Sequence, residues 1–136
     1  MQIQRIDHVH LEVSDREAAA EWYGRVLGLI RSKELAPWAD DPMGPLVLAA
    51  PDGTPLLSLF ARPAKPTSRD ATIAYRTSAA DFKAFLASLP RELKNTRGKT
   101  LTAQDVVDHD LSHSIYFLDP DENRIELTCY ELDALK

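Results

Sequence analysis

The order of elements in this chain repeats. A strand runs into a helix and is followed by three strands, and then the same order begins again. His8-Val9-His10-Leu11-Glu12-Val13-Ser14 lines up with Thr72-Ile73-Ala74-Tyr75-Arg76-Thr77-Ser78, and each segment leads into a helix. Further on, Pro51-Asp52-Gly53 lines up with Pro120-Asp121-Glu122, and Leu57-Ser58-Leu59 with Ile125-Glu126-Leu127. The identity between the halves is weak. The order of elements carries the argument, and it confines the chain to an α+β architecture of two βαβββ modules.

The local signals behind that order are these. Strand alternation covers residues 6–13, with Val9, Leu11 and Val13 on one side and His8, His10 and Glu12 on the other. Ser14 or Asp15 caps a helix carrying Ala19, Trp22, Tyr23, Val26 and Leu27 at helical spacing, and Gly28 suits its end. A short strand is expected at 29–35, a loop at 36–45, and strands at 46–50 and 55–61 about the Pro51-Asp52-Gly53 turn. Residues 62–70 read as a polar, Pro-containing linker between module one (1–62) and module two (71–136) of a single domain. In the second half a strand is expected at 71–77 and a helix at 79–89, with Phe82, Phe85, Leu86 and Leu89 on one face. A strand near 99–106 follows, then strands at 113–118 and 124–130.

Each module's sheet covers one face with its helix and leaves the other free. Two such curved sheets enclose a concave surface, the kind of place where small ligands bind. Parity puts His8, His10, Glu12, Ser58, Thr72, Ala74, Arg76, Arg124, Glu126, Thr128 and Tyr130 on that free face. Alternating polar residues also mark a plain solvated sheet face, which is the ordinary meaning of such a pattern. Cys129 alternates with Ile125 and Leu127 and reads as core.

Composition narrows the function classes. The 136 residues suit one domain, and the net charge of −5 without a basic cluster argues against nucleic acid. No apolar run approaches the roughly 20 residues needed to cross a bilayer. The first residues show no secretory h-region, and a single cysteine allows no internal disulfide, so a cytoplasmic setting is expected.

Ile6-Asp7-His8-Val9-His10-Leu11-Glu12-Val13, followed by Trp22-Tyr23 and Val26-Leu27-Gly28-Leu29, resembles the opening of vicinal-oxygen-chelate proteins. These include glyoxalase I, extradiol dioxygenases, fosfomycin-resistance enzymes and bleomycin-binding proteins. The segment from His113 to Leu127, with Asp119-Pro120-Asp121-Glu122-Asn123 at its turn, is similar to their last hairpin, most of all in the catechol 2,3-dioxygenase-like branch. The resemblance implies a homodimer with a small-molecule substrate. It also implies a divalent metal (Fe, Mn, Ni or Zn) held at four strand positions, where it polarises substrate oxygens.

Carried over residue by residue, those positions are His8, Ser58, Thr72 and Glu126. His8 and Glu126 are suitable ligands; Ser58 and Thr72 are weak ones. His10, on the same strand face as His8, offers itself as a third ligand or as a substrate contact. His113 matches a histidine that dioxygenase relatives keep near substrate for proton transfer or hydrogen bonding. Ser58, Thr72, Arg76 and Tyr130 join His10 as candidate substrate contacts. Two functions therefore stand side by side. One is a metal-dependent, dioxygenase- or glyoxalase-like enzyme acting on a small oxygenated substrate such as an aromatic diol. The other is a metal-independent binding protein of the bleomycin-resistance type, its cup lined by Trp38, Phe60 and Tyr75. A degenerate interaction module is a third reading.

Overall fold

A computed structural model describes residues 1–2, 4–63 and 71–136. The chain divides into two compact units, Met1–Lys65 and Pro66–Lys136. Most of the expected linker, residues 64–70, lies outside the described residues.

The first unit contains strands β1 (Val9–Val13), β2 (Ile30–Arg31), β3 (Leu46–Ala49) and β4 (Pro55–Ala61), with helix α1 (Arg16–Leu27). Its sheet order is β1-β4-β3-β2, with β1 parallel to β4 and the other pairs antiparallel. Leu11, Val13, Leu57 and Leu59 are buried, as are Ala19, Trp22 and Tyr23 of α1. The helix starts where the sequence says it must. The Asp15 side chain accepts hydrogen bonds from the Glu17 and Ala18 amides, satisfying two orphan donors of the first turn. It stops at Gly28, whose left-handed φ of 69° costs glycine least.

The loop expected at 36–45 holds a 3-10 turn over Ala36–Asp40, fastened from α1. The Arg16 guanidinium donates to three backbone carbonyls, those of Ala39 (3.1 Å), Asp41 (3.1 Å) and Gly44 (2.5 Å). These carbonyls have no ladder to join, so a five-donor side chain satisfies them instead.

The second unit repeats the plan with β5 (Thr72–Arg76), α2 (Ala79–Ala87), β6 (Val106–Asp108), β7 (His113–Leu118) and β8 (Arg124–Cys129). The sheet order is β5-β8-β7-β6, again with only the first pair parallel. Ser78 caps α2 by accepting from the Asp81 amide. Ile115, Phe117, Ile125 and Cys129 are fully buried, and Phe85 of α2 meets Phe117 with ring centroids 5.5 Å apart. A short helix α3, Leu132–Leu135, follows and was not expected from the sequence.

Several boundaries differ from expectation. The first strand begins at Val9 rather than residue 6, so His8 stands just ahead of it. The strand expected at 29–35 is two residues long, because the chain turns off at Ser32. The strand expected near 99–106 is a 3-10 turn at Ala103–Asp105 followed by β6. The cause is local. Thr102 and Asp105 bond reciprocally across that turn, and this capping box competes with extended backbone.

The two units match in register at the pairs that face each other across their parallel strands. His10 opposes Ser58 across β1 and β4, and Ala74 opposes Glu126 across β5 and β8. The repeat seen in the sequence aligns the same residues, His10 with Ala74 and Ser58 with Glu126. The fold is an α+β arrangement of two repeated four-stranded open mixed sheets with helices. No described helix is long and apolar enough to cross a membrane.

Candidate functional site

Parity decides which side chains share a face. In the second unit Thr72, Ala74 and Arg76 pair with Arg124, Glu126 and Thr128, and these pair in turn with Leu118, Tyr116 and Ser114 of β7. All nine project from the sheet face opposite the one on which Ile115, Phe117, Ile125 and Cys129 are buried. Arg76 extends this face by lying over the Tyr130 ring, 4.9 Å from its centroid.

Glu126 sits at the centre of a polar network. Ser114 Oγ lies 2.7 Å from Glu126 Oε1 and 3.0 Å from Thr128 Oγ1. A carboxylate only accepts, so the serine proton goes to Glu126, and Thr128 supplies its own to Ser114. Tyr116 faces Glu126 across the ladder, and its hydroxyl meets His109 Nε2 at 3.0 Å. The Arg124 guanidinium lies over the Tyr116 ring at 4.7 Å. Across the parallel pair stands only the methyl group of Ala74.

Two expected site residues lie elsewhere. His113 opposes Cys129 and therefore projects with Ile115 and Phe117, on the opposite side from Glu126. Its Nε2 is 3.6 Å from Asp108 Oδ2, on the neighbouring strand β6. Within this unit His113 therefore lies on the sheet face opposite Glu126, because one step along a strand reverses the face. Tyr75 likewise opposes Leu127 on the helix side and cannot line the free face. The β7 residues that share the Glu126 face are Ser114 and Tyr116. The Asp119–Asn123 turn and the parity of the hairpin contain the signal for them, once the register is counted back from Glu126.

In the first unit His10, Glu12, Ser58 and Phe60 share the corresponding face. The His10 ring stacks on Phe60 with centroids 4.1 Å apart, and its Nε2 is 4.0 Å from Glu12 Oε1. Arg62 covers the Phe60 ring at 5.2 Å. Ser58 is buried, at 4 % exposure, at the register position that Glu126 holds in the other unit. The His8 Nδ1–H donates to Asp7 Oδ2 at 2.7 Å. Trp38 is exposed on the 3-10 turn.

The four family positions thus carry one imidazole, one carboxylate and two hydroxyls. Three protein ligands of nitrogen, sulfur or carboxylate type are the usual minimum for a resident catalytic metal, and neutral hydroxyls are poor substitutes. Among the described residues no three His, Cys, Asp or Glu side chains are grouped to hold an ion. This donor set does not fit a tightly held divalent metal.

Two phenols on opposite sides of this sheet titrate late. Burial, and then the negative charge of Glu126, raises the Tyr116 hydroxyl above the ordinary value of about 10. Burial, and then Asp119, raises Tyr75 further. A raised folded-state value contributes stability that is complete below the unfolded value and is lost as pH climbs through the folded one. Absorbance titration of the phenolates should therefore show late ionisation above pH 10, with Tyr116→Phe removing one late component. A profile unchanged by that substitution contradicts the assignment.

No curated protein matches the chain. Among solved structures, a glyoxalase/dioxygenase from Nostoc punctiforme is 23% identical, with a TM-score of 0.65 over 93% of this chain and 91% of that one. Oxidase ChaP-H2 is 21% identical, with a TM-score of 0.66 over 95% and 94%. The fosfomycin resistance protein FosX from Listeria monocytogenes is 14% identical, with a TM-score of 0.61 over 99% and 100%. These likenesses agree with the fold built above. The sequence profile of one family matches residues 5–127, and by that match the chain belongs to the Glyoxalase/Bleomycin resistance protein/Dioxygenase superfamily.

Proposed function

We propose that this chain binds a small oxygenated molecule on the free sheet face of its second unit, without a resident metal. The observation that supports this is the hydrogen bond from Ser114 to Glu126, in a network that continues to Thr128 and lies beside Tyr116. A carboxylate fixed in this way accepts a hydroxyl from a ligand, and Tyr116 and Arg124 supply donors beside it. Thr72 and Arg76 border the same face, and Tyr130 closes one end of it.

The metal-dependent reading has one observation in its favour. The Asp7 carboxylate at His8 Nδ1 leaves Nε2 available, which is how a ligating imidazole is usually oriented. In that reading His8 and Glu126 hold Fe, Mn, Ni or Zn, with His10 as the third donor. Metal analysis of protein purified without chelator, with thermal melts in Fe²⁺, Mn²⁺, Ni²⁺ and Zn²⁺, separates the two. Our reading expects substoichiometric metal and no selective rise in Tm. A metal that binds the folded state must raise Tm. A rise with one ion that disappears in both His8→Ala and Glu126→Gln restores the metalloenzyme.

A further inference from the structure

We propose that Arg76 anchors a carboxylate group of the ligand, so that the second unit takes a small hydroxy acid laid across the sheet between Arg76 and Glu126. Four residues define the place. Ala74 opposes Glu126 and Arg76 opposes Thr128 across β5 and β8. Arg76 and Glu126 therefore stand on one diagonal, and Ala74 and Thr128 on the other. Diagonal neighbours in a sheet lie about 7–8 Å apart, within reach of long side chains.

An arginine and a glutamate so placed would ordinarily pair with each other. Here each is held by something else. Glu126 accepts the Ser114 hydroxyl at 2.7 Å. The Arg76 guanidinium lies over the Tyr130 ring, 4.9 Å from its centroid, and among the described residues no carboxylate pairs with it. The floor between the two charges is low. It carries the Ala74 methyl group and the Thr128 hydroxyl, which is turned to Ser114 at 3.0 Å. A cation and a carboxylate thus flank a shallow gap that no bulky side chain fills.

The anchor is also fixed in advance. The Thr77 amide donates to the Thr128 carbonyl at 3.0 Å, which carries the pairing of β5 with β8 one residue past Arg76. Tyr130 is followed by Glu131, whose carboxylate accepts from the Ala79 amide at 2.9 Å and so ties the segment after β8 to the start of α2. Stacking uses the flat face of a guanidinium and leaves the N–H donors at its edge. Those donors form a fork that matches a carboxylate bidentately, and a fork already oriented loses little entropy when the ligand arrives. Tyr130 is 52 % exposed, so the stack is open to a ligand.

One cation with Glu126 close by favours a monoanion. A phosphate group, with its larger charge, would meet the same fork under stronger repulsion from the glutamate. A carboxylate at Arg76 directs the rest of the ligand along the diagonal, where a hydroxyl reaches Glu126. The proposal deepens the ligand-binding reading above and rests on it for that hydroxyl, but not for the carboxylate.

The test uses the whole chain with hexanoate, 6-hydroxyhexanoate and 1,6-hexanediol as probes. In two-dimensional NMR titrations the two acids should shift amides at 74–77 and 126–131, around the proposed anchor. The diol, which lacks the carboxylate, should bind about tenfold more weakly than 6-hydroxyhexanoate. Arg76→Gln should weaken hexanoate about tenfold, and Arg76→Lys should recover only part of the loss, because an ammonium has no fork. Absence of hexanoate shifts at 74–77 in the unaltered protein overturns the anchor, as does equal hexanoate binding in Arg76→Gln. The first of these readings needs no variant to fold. 6-Hydroxyhexanoate should bind more tightly than hexanoate, and the difference should vanish in Glu126→Ala. If the two acids bind alike while Arg76→Gln still weakens both, the hydroxyl reading at Glu126 fails and the carboxylate anchor stands.

Discussion

Replacing Phe117 by alanine should destabilise the second unit by about 3–5 kcal/mol. Phe117 has no exposed surface, opposes Ile125 in the ladder and meets Phe85 of α2. Its ring joins the helix to the buried face of the sheet. Truncation removes the transfer free energy of the phenyl group and leaves a cavity whose walls are backbone-paired strands. Strands held by ladders on both sides relax poorly into a void, so the upper part of that range applies. Domains of this size have about 5–15 kcal/mol in total, and a change this large takes much of it. Urea melts should show a lower midpoint with an unchanged slope. Phe117→Leu, which keeps most of the volume, should cost far less. A loss under about 1 kcal/mol in the alanine variant means that the unit's core is not centred on this ring.

The second large effect is at Arg16. Arg16→Ala should cost about 2–3 kcal/mol, because three carbonyls lose a charged donor at once and hydrogen bonds to charged groups are worth more than neutral ones. The loss should appear first as opening of residues 36–45. Gly44 makes the effect larger. A Cβ there would stand 2.4 Å from the Trp38 carbonyl oxygen, so the loop is wound tightly and has no looser arrangement nearby. Hydrogen exchange of the Trp38 and Gly44 amides, which donate to the Leu35 and Asp41 carbonyls, reports this directly. Exchange no faster in the variant refutes the idea that Arg16 is what fastens the loop.

The difference between Phe117 and Arg16 shows what a single sequence reveals. Phe117 was legible, since it alternates with Ile115 in a strand bounded by a strong turn. Asp15 and Gly28, at the two ends of α1, were legible for the same local reason: caps and left-handed glycines act within a few residues. Arg16 was not legible. Its partners lie more than twenty residues away, and nothing in the neighbourhood of an arginine announces that it will satisfy distant carbonyls.

The candidate site divides along the same line. The face holding Glu126, Arg124, Thr72 and Arg76 followed from alternation alone. His113 was assigned by likeness to relatives, although its parity relative to Glu126 was available by counting across the hairpin. The stretch around Asn95 and the 3-10 turn at Ala103–Asp105 was not legible, because side-chain bonds there override propensity.

The turn at Asp119 has a consequence for anyone who later studies this protein by mutation. Its carboxylate accepts from the Asp121 and Asn123 amides and from the Asn123 side chain, while Glu122 takes the left-handed φ of 66°. That clasp decides where β8 starts, and every second residue after it inherits the choice. A slip of one position would bring Ile125, Leu127 and Cys129 outward and turn Arg124, Glu126 and Thr128 toward the helix. Damage at Asp119 would then imitate damage at Glu126 in any binding assay, with no ligand atom ever near residue 119. Loss of function on scanning this hairpin is evidence of contact only for variants whose strand register has been checked.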